Sequence, residues 1–524
     1  VAPGKLRSSD SAGRRAAGIL LHPTSLPGPF GVGDLGPAAV RFLDWAAEAG
    51  QSLWQVLPLG PTGGGASPYT SSSAFAGNPF LLSPEGLVED GLLPEAALAD
   101  RPAFREDRVD FAAVRPWKER ILRASWDHFR RQGPPALRRE LERFEGADEQ
   151  RAWLPGWAFF AAIKERRGGR SWLDWEAELV LRDPDALEAA HEELVEETAY
   201  QSYLQFLFFR QWGRLRREAR SRGIAVVGDV PIYVALDSAD VWTHQDLFVL
   251  DGAGRPTAVA GVPPDYFSED GQLWGNPLYR WDRMEEDGFA WWVARLKANL
   301  RTCDLLRLDH FRAFAAYWAV PAYERTARNG RWIPGPGRRL FDAARRELGE
   351  LPILAEDLGL ITEDVRELLA ALGIPGMKVL QFAFYGEDGE YLPHRYSRNC
   401  IVYTGTHDNA TARGWFESLK PEERRRVADY LGCEGPGIEW ALIRAAYTSV
   451  AERAIVPMQD VLGLGDEARM NDPSEPGDHW SWRASAGAFS GEIAARLKRL
   501  SALTGRWTPP GAPEGNAASP EATT

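Results

Sequence analysis

The chain has 524 residues, 44% hydrophobic and 26% charged, enough to bury a large core and too many for one small domain. A net charge of -13 without any basic patch argues against nucleic acid and anionic membranes as partners, while leaving neutral ligands such as sugars open. No run approaches the ~18 apolar residues of a membrane span, and Cys303, Cys400 and Cys433 are too few and too widely spaced for a disulfide framework or a zinc motif.

In chain order, residues 1–14 read as a flexible N-terminus. AAGILL is the only apolar stretch near the start before His22 and Pro23 interrupt it, too short for an export signal, so a reducing cytoplasm is expected. A series of short apolar runs then follows, each ending in a Gly, Pro, Asp or His-bearing loop. They are AAGILLHPTS (16–25), SLWQVLPLGPTG (52–63), GIAVVGDVPIYV (223–234), DLLRLDHFRAF (304–314), LPILAEDLG (351–359), GMKVLQFAFYG (376–386), CIVYTGTHDN (400–409) and, less clearly, MQDVLGLGDEARMN (458–471). Continuous rather than alternating hydrophobicity marks strands covered on both faces, as in a parallel sheet. Helical patterns intervene at 37–50 and 361–373, the second with Thr362 as N-cap, Gly373 at its end and Pro375 beyond.

Eight such units predict an α/β fold, a (β/α)8 TIM barrel over 15–504 with large, mainly helical inserted subdomains. The gap between the second and third strands is far longer than a βα loop, which places one insertion at about 61–200. A long helical pattern over 192–223 leads back to the barrel, and a Gly-, Pro-, Tyr- and Trp-rich segment marks a second insertion at about 240–290. The tail 505–524 is poor in hydrophobics and reads as disordered. The 21 Trp, 14 Tyr and 23 Phe serve a large core, with stacking surfaces for carbohydrate as the sharper reading.

Reactive groups of a barrel gather at the carboxyl ends of its strands. Polar residues there are Asp229, Arg307, Asp309, His310, Glu356, Asp357, His407 and Asp408. Arg307 and Asp309 are two apart and share a strand face. Such a pair is in isolation more often a salt bridge than a catalyst. A guanidinium beside Asp309 predicts an ionised carboxylate of low pKa, suited to a nucleophile, with Asp229 as a supporting partner of Arg307. Glu356 follows the apolar LPILA, where burial raises a carboxyl pKa as a general acid requires; spacing alone leaves open whether Glu356 or Asp357 is instead a loop acceptor. Two carboxyls pushed apart in this way are the pattern of retaining glycoside chemistry. A metal-dependent hydrolase is the rival, but neither HxH nor HExxH spacing occurs.

The runs LLHPTSLPGPFGVGDLG, WQVLPLGPTG, GDVPIYVALDSADVW, VAGVPPDYFSEDGQLWGNPLYRWD, RLDHFRAF, LAEDLG, GMKVLQFAF and YTGTHDN closely resemble the amylomaltases, the 4-α-glucanotransferases of glycoside hydrolase family 77 in the α-amylase clan. The likeness spans about residues 16–500. It implies Asp309 as nucleophile, Glu356 as general acid/base and Asp408 as the third carboxylate, with no cofactor and no catalytic metal. By the same resemblance Arg307, His310, His407 and Asn471 bind the sugar, Asp265, Gln272 and Trp274 shape the acceptor side, and Tyr69 and Ser67 the donor side. Maltooligosaccharides, amylose and glucose as acceptor are the implied partners, for a monomer or weak homo-oligomer. An α-glucan hydrolase or a non-catalytic glucan-binding barrel is the alternative. Departures from the family pattern fall at Gly64, Ala66, Ala410, Asp478 and His479, and expose chain-length preference rather than the three carboxyls.

Overall fold

The computed structural model describes residues 15–508 except 64–65, 265–267, 386–388, 475–476 and 478. Its twelve strands in chain order are β1 (Ala16–Leu20), β2 (Leu53–Gln55), β3 (Ala225–Pro231), β4 (Ala258–Val262), β5 (Gln272–Pro277), β6 (Leu305–Asp309), β7 (Ala316–Pro321), β8 (Arg331–Pro334), β9 (Ile353–Ala355), β10 (Gly376–Val379), β11 (Cys400–Tyr403) and β12 (Arg453–Pro457).

Eight of these form one parallel sheet in the order β10-β11-β12-β1-β2-β3-β6-β9. The ends of that series meet: the amide of Ala355 donates to the Pro375 carbonyl at 2.9 Å, and the amide of Met377 donates to the Asp357 carboxylate at 2.6 Å. A side chain thus completes the seam where a backbone carbonyl would otherwise serve. The result is the α/β barrel the apolar runs predicted. Seven strands fall inside the expected runs. The eighth is RAIVP, just before MQDVLGLGDEARMN, whose first four residues begin a helix instead (Met458–Val461). The apolar strand is short and Pro457 closes it, so the longer hydrophobic stretch beyond drew the eye.

Between β2 and β3 the chain is helical, with long helices at Phe111–Gln132, Leu154–Arg166 and Val195–Ser221. Aromatic contacts hold them together, Phe129 and Trp126 packing on Tyr203 at 4.8 and 5.1 Å. Beyond β3 the inserted chain differs from this: β4, β5, β7 and β8 make a four-stranded antiparallel sheet, order β5-β4-β7-β8, that overhangs the carboxyl end of β6. It brings together strands from both sides of β6, so no single window of sequence announces it.

The helix Glu363–Leu372 starts and stops where expected, with Gly373 left-handed at φ 66°. Thr362 has the extended backbone of an N-cap, yet its side chain caps no backbone amide. Residues 505–508, placed in the disordered tail by composition, are described. Arg506 is buried and donates to the carbonyls of Ala16, Tyr447, Ala451 and Glu452 at 2.8–3.1 Å, pinning the amino ends of β1 and β12. One arginine with many carbonyl partners anchors a stretch whose composition carries no such signal. The remainder of that tail and residues 1–14 lie outside the described residues.

Candidate active site

Parallel register places Asp229 of β3 directly opposite Arg307 of β6, both facing the barrel interior near its carboxyl end. Arg307 Nη1 lies 2.8 Å from both carboxylate oxygens of Asp229 and 2.8 Å from Asp309 Oδ1. Its Nε–H donates to the Met377 sulfur at 3.4 Å. Arg307 and Asp229 are buried, whereas the Asp309 side chain keeps 27% of its surface open to the cleft. Tyr69 completes the cluster, its hydroxyl donating to Asp229 Oδ2 at 2.6 Å.

Directly after Asp309, His310 takes a left-handed backbone (φ 51°, ψ 49°), an uncommon choice for a non-glycine residue. The turn sends the His310 amide to Glu356 Oε2 at 2.6 Å, while Oε1 accepts from the Leu358 amide at 2.9 Å. Glu356 and Asp309 therefore stand at the ends of neighbouring strands, one residue beyond the paired Leu308 and Ala355. Asp357, the other half of the sequence ambiguity, points away to the barrel seam.

On the opposite rim, after β11, Asp408 Oδ2 lies 3.1 Å from His407 Nε2 and Oδ1 accepts from the Asn471 amide nitrogen at 2.6 Å. Arg469 braces this loop from behind, donating to the carbonyls of Asp408 and Asn471 at 2.8 Å each. The imidazole of His407 stacks on Tyr69 at 5.0 Å, and Trp480 flanks both rings at 5.8 Å. Trp480 too is left-handed, at φ 67°.

These environments separate the carboxyls. Burial pushes Glu356 up to about 7, helped by the Asp309 charge, against the pull of Arg307 and two backbone amides. Burial also pushes Asp309 up to about 6; Arg307 draws it down, and Asp229 and Asp408 oppose that. The sequence expectation of a low pKa for Asp309 is therefore corrected. It weighed the guanidinium but not the desolvation, which is the largest influence on Asp309, nor the opposing charges of Asp229 and Asp408. The order survives, with Asp309 ionising before Glu356. Burial would raise Asp408 as well, but His407 and Asn471 outweigh it and hold the carboxyl at about 2. For His407, burial is outweighed by Asp408 and the imidazolium is favoured. His310, desolvated and near Arg312, falls to about 3 and is neutral.

The structure brings Asp229, Arg307, Asp309, His310, Glu356, His407, Asp408, Asn471 and Tyr69 to one end of the barrel. Trp274 joins them, its ring edge-on to His310 at 4.7 Å, with its indole N–H donating to Gln272 Oε1 at 3.0 Å. Ser67 lies two residues before Tyr69, its Oγ accepting the Tyr69 amide at 3.3 Å in the turn that presents Tyr69. Asp265 lies outside the described residues, as do the departures Gly64 and Asp478. Among the described residues no group of three or more His, Cys, Asp or Glu is arranged to hold a metal ion, and no helix is long and apolar enough to cross a membrane. Sequence reasoning missed Arg469, Trp480 and the seam role of Asp357. Only the Arg-Met-Asn-Asp run beside Asn471 carried a hint, as a dense polar patch after an apolar run.

A parallel barrel with three differently tuned carboxyls at the carboxyl ends of its strands defines an enzyme of carboxyl acid–base chemistry, of the kind that works on glycosidic bonds. A solved amylomaltase from Streptococcus agalactiae, in complex with acarbose, superposes with a TM-score of 0.91 at 37% identity, covering 94% of this chain and 100% of that one. The 4-alpha-glucanotransferase of Synechocystis is 47% identical over 94% of this chain and 98% of its own length. That of Thermus thermophilus is 49% identical over 94% and 99%. The family model described as 4-alpha-glucanotransferase, glycoside hydrolase family 77, matches residues 21–488. The chain belongs to that family of enzymes.

Proposed function

We propose that this 4-alpha-glucanotransferase transfers α-1,4-glucan segments by a retaining double displacement in which Asp309 is the nucleophile and Glu356 the acid and then the base. The observation carrying this reading is the pair of neighbouring strand ends. Glu356 accepts from the amide of His310, the residue next to Asp309, so the two carboxyls are held close together, as a retaining pair requires. In the first step Asp309 attacks the anomeric carbon while Glu356 gives its proton to the leaving 4-oxygen. In the second, Glu356 takes the proton of an acceptor's 4-hydroxyl, which attacks the glucosyl ester and restores the α configuration. Asp408, held ionised by His407 and Asn471, grips hydroxyls of the distorted ring as positive charge builds. Trp274, 36% exposed over His310, offers an apolar face for the acceptor sugar. The donors and acceptors would be maltooligosaccharides, amylose and glucose. Three unpaired cysteines fit work in a reducing cytoplasm.

Maltotriose tests the activity. Incubation should yield glucose together with a ladder of oligosaccharides longer than the substrate. Accumulation of glucose and maltose alone would identify a hydrolase and overturn transfer.

The acidities set the pH dependence. Asp309 must be ionised, so kcat/KM should rise as pH passes about 6; Glu356 must be protonated, so it should fall above about 7. The expected profile is a narrow bell between those values, and a flat profile from pH 5 to 9 would contradict the two assignments.

A further inference from the structure

An open groove of about 860 Å³ lies beside the His310–Phe314 turn, where its lining residue Trp281 packs on Phe314. It runs between the segment 245–251, the short helix Trp281–Glu286 and the edge of the antiparallel sheet at β7 and β8. None of Asp309, Glu356 and Asp408 lines it. Its volume falls within the ~300–1,000 Å³ of ligand sites.

Two aromatic residues form its built part. Tyr317 of β7, paired across the strands with Ile333 of β8, is 7% exposed. Trp281 is 9% exposed and packs on Tyr279, Trp292 and Phe314 at 4.9, 5.9 and 6.5 Å. Among the described residues nothing takes the Tyr317 hydroxyl or the Trp281 indole N–H, although neither atom is sealed from solvent. Polar tips of buried aromatic rings ordinarily find a partner. Both tips belong to residues that line this groove, and a ligand there would supply the partner.

The rim selects the chemistry. Four carboxylates, Asp246, Asp251, Asp282 and Glu285, outnumber the two arginines, Arg280 and Arg339, and Arg339 is already paired with Glu285 at 2.6 Å, so the rim opposes an anion. Asp282, exposed and in no ion pair among the described residues, accepts hydroxyl donors, while Tyr317 and Trp281 donate. Ile333 and Pro334 add apolar surface on the same wall. Alternating donors and acceptors beside apolar carbon suit a neutral polyhydroxylated ring, which has C–H faces and hydroxyl edges.

We propose that this groove is a second, non-catalytic site for an α-glucan segment, seated on Tyr317 and Trp281 with Asp282 accepting from the sugar's hydroxyls. The ligand class rests on the reading of the chain as acting on α-1,4-glucans. The groove backs onto the turn that carries His310, so a long glucan held there stays beside the cleft and its local concentration rises, an advantage short substrates do not gain.

Calorimetric titration with maltoheptaose tests the site in an Asp309→Asn background, which holds substrate without consuming it. Two molecules should bind per chain. In Asp309→Asn/Tyr317→Phe/Asp282→Ala one site should remain unchanged and the other weaken at least tenfold. In the otherwise wild-type enzyme, Tyr317→Phe/Asp282→Ala should raise KM for amylose about three- to tenfold and leave kcat/KM for maltotriose unchanged. A single site, or two sites indifferent to the substitutions, in a chain active on maltotriose overturns the groove and leaves the active-site reading standing. A chain inactive on maltotriose overturns that reading and the ligand class assigned here with it.

Discussion

Asp309→Asn should lower turnover on maltotriose on the order of 10⁴–10⁶-fold, the scale on which losing a covalent nucleophile acts. The substitution keeps the shape of the side chain, and the amide oxygen can still accept from Arg307 at the site of the present 2.8 Å contact. What disappears is the anion that attacks the anomeric carbon. The fold should not suffer, and the sign follows from the pKa. Asp309 is raised above its ordinary value by burial, so its ionised form opposes folding at pH above about 6. A neutral amide removes that opposition, and the variant should unfold at or above the wild-type denaturant midpoint at pH 8. Loss of activity with a midpoint that also collapses would mean that Asp309 is mainly a structural ion-pair partner.

Arg307→Leu should fail in both respects. The guanidinium is buried and faces Asp229, whose side chain is fully buried, so its removal strands a carboxylate without a countercharge. Breaking a buried pair in this way costs about 3–5 kcal/mol. Asp309 meanwhile loses the larger of the two charges that draw its pKa down, leaving only His407, and turnover per folded molecule should fall about 10²–10³-fold. Arg307→Lys separates the two effects. It keeps the charge but not the planar fork that meets two carboxylates at once. Stability should be largely restored, while the acid limb of kcat/KM moves to higher pH. An unmoved acid limb with normal kcat would reduce Arg307 to a structural strut.

These two residues also show how far the sequence could be read. Period-two spacing put Arg307 and Asp309 on one face of a strand, and the structure joins them at 2.8 Å. The partner that decides the energetics, Asp229, lies 78 positions earlier, and its register with Arg307 depends on a parallel pairing no local window contains. The low pKa expected of Asp309 was wrong in direction while the elevation of Glu356 was right. Burial is the largest cause of both shifts; the apolar run before Glu356 signals it, whereas at Asp309 the neighbouring Arg307 drew the expectation the other way. The same distinction holds for the fold. Apolar runs located seven of the eight barrel strands because each is a local pattern. The antiparallel sheet, the Asp357 seam and the anchoring by Arg506 are long-range pairings and left no local mark. Left-handed Trp480 is a further case, since its residue type does not advertise that backbone.

The central claim is a covalent ester on Asp309, and mass spectrometry of a stalled enzyme measures it most directly. In Glu356→Gln, α-maltosyl fluoride needs no acid to release its leaving group, so the first step proceeds, while the second, which needs Glu356 as base, is blocked. The intact mass should rise by one maltosyl unit, and proteolysis should place the added sugar on the peptide containing Leu305–Phe314, at Asp309. A sugar attached to any other carboxyl, or no adduct while fluoride is still released, would contradict the account.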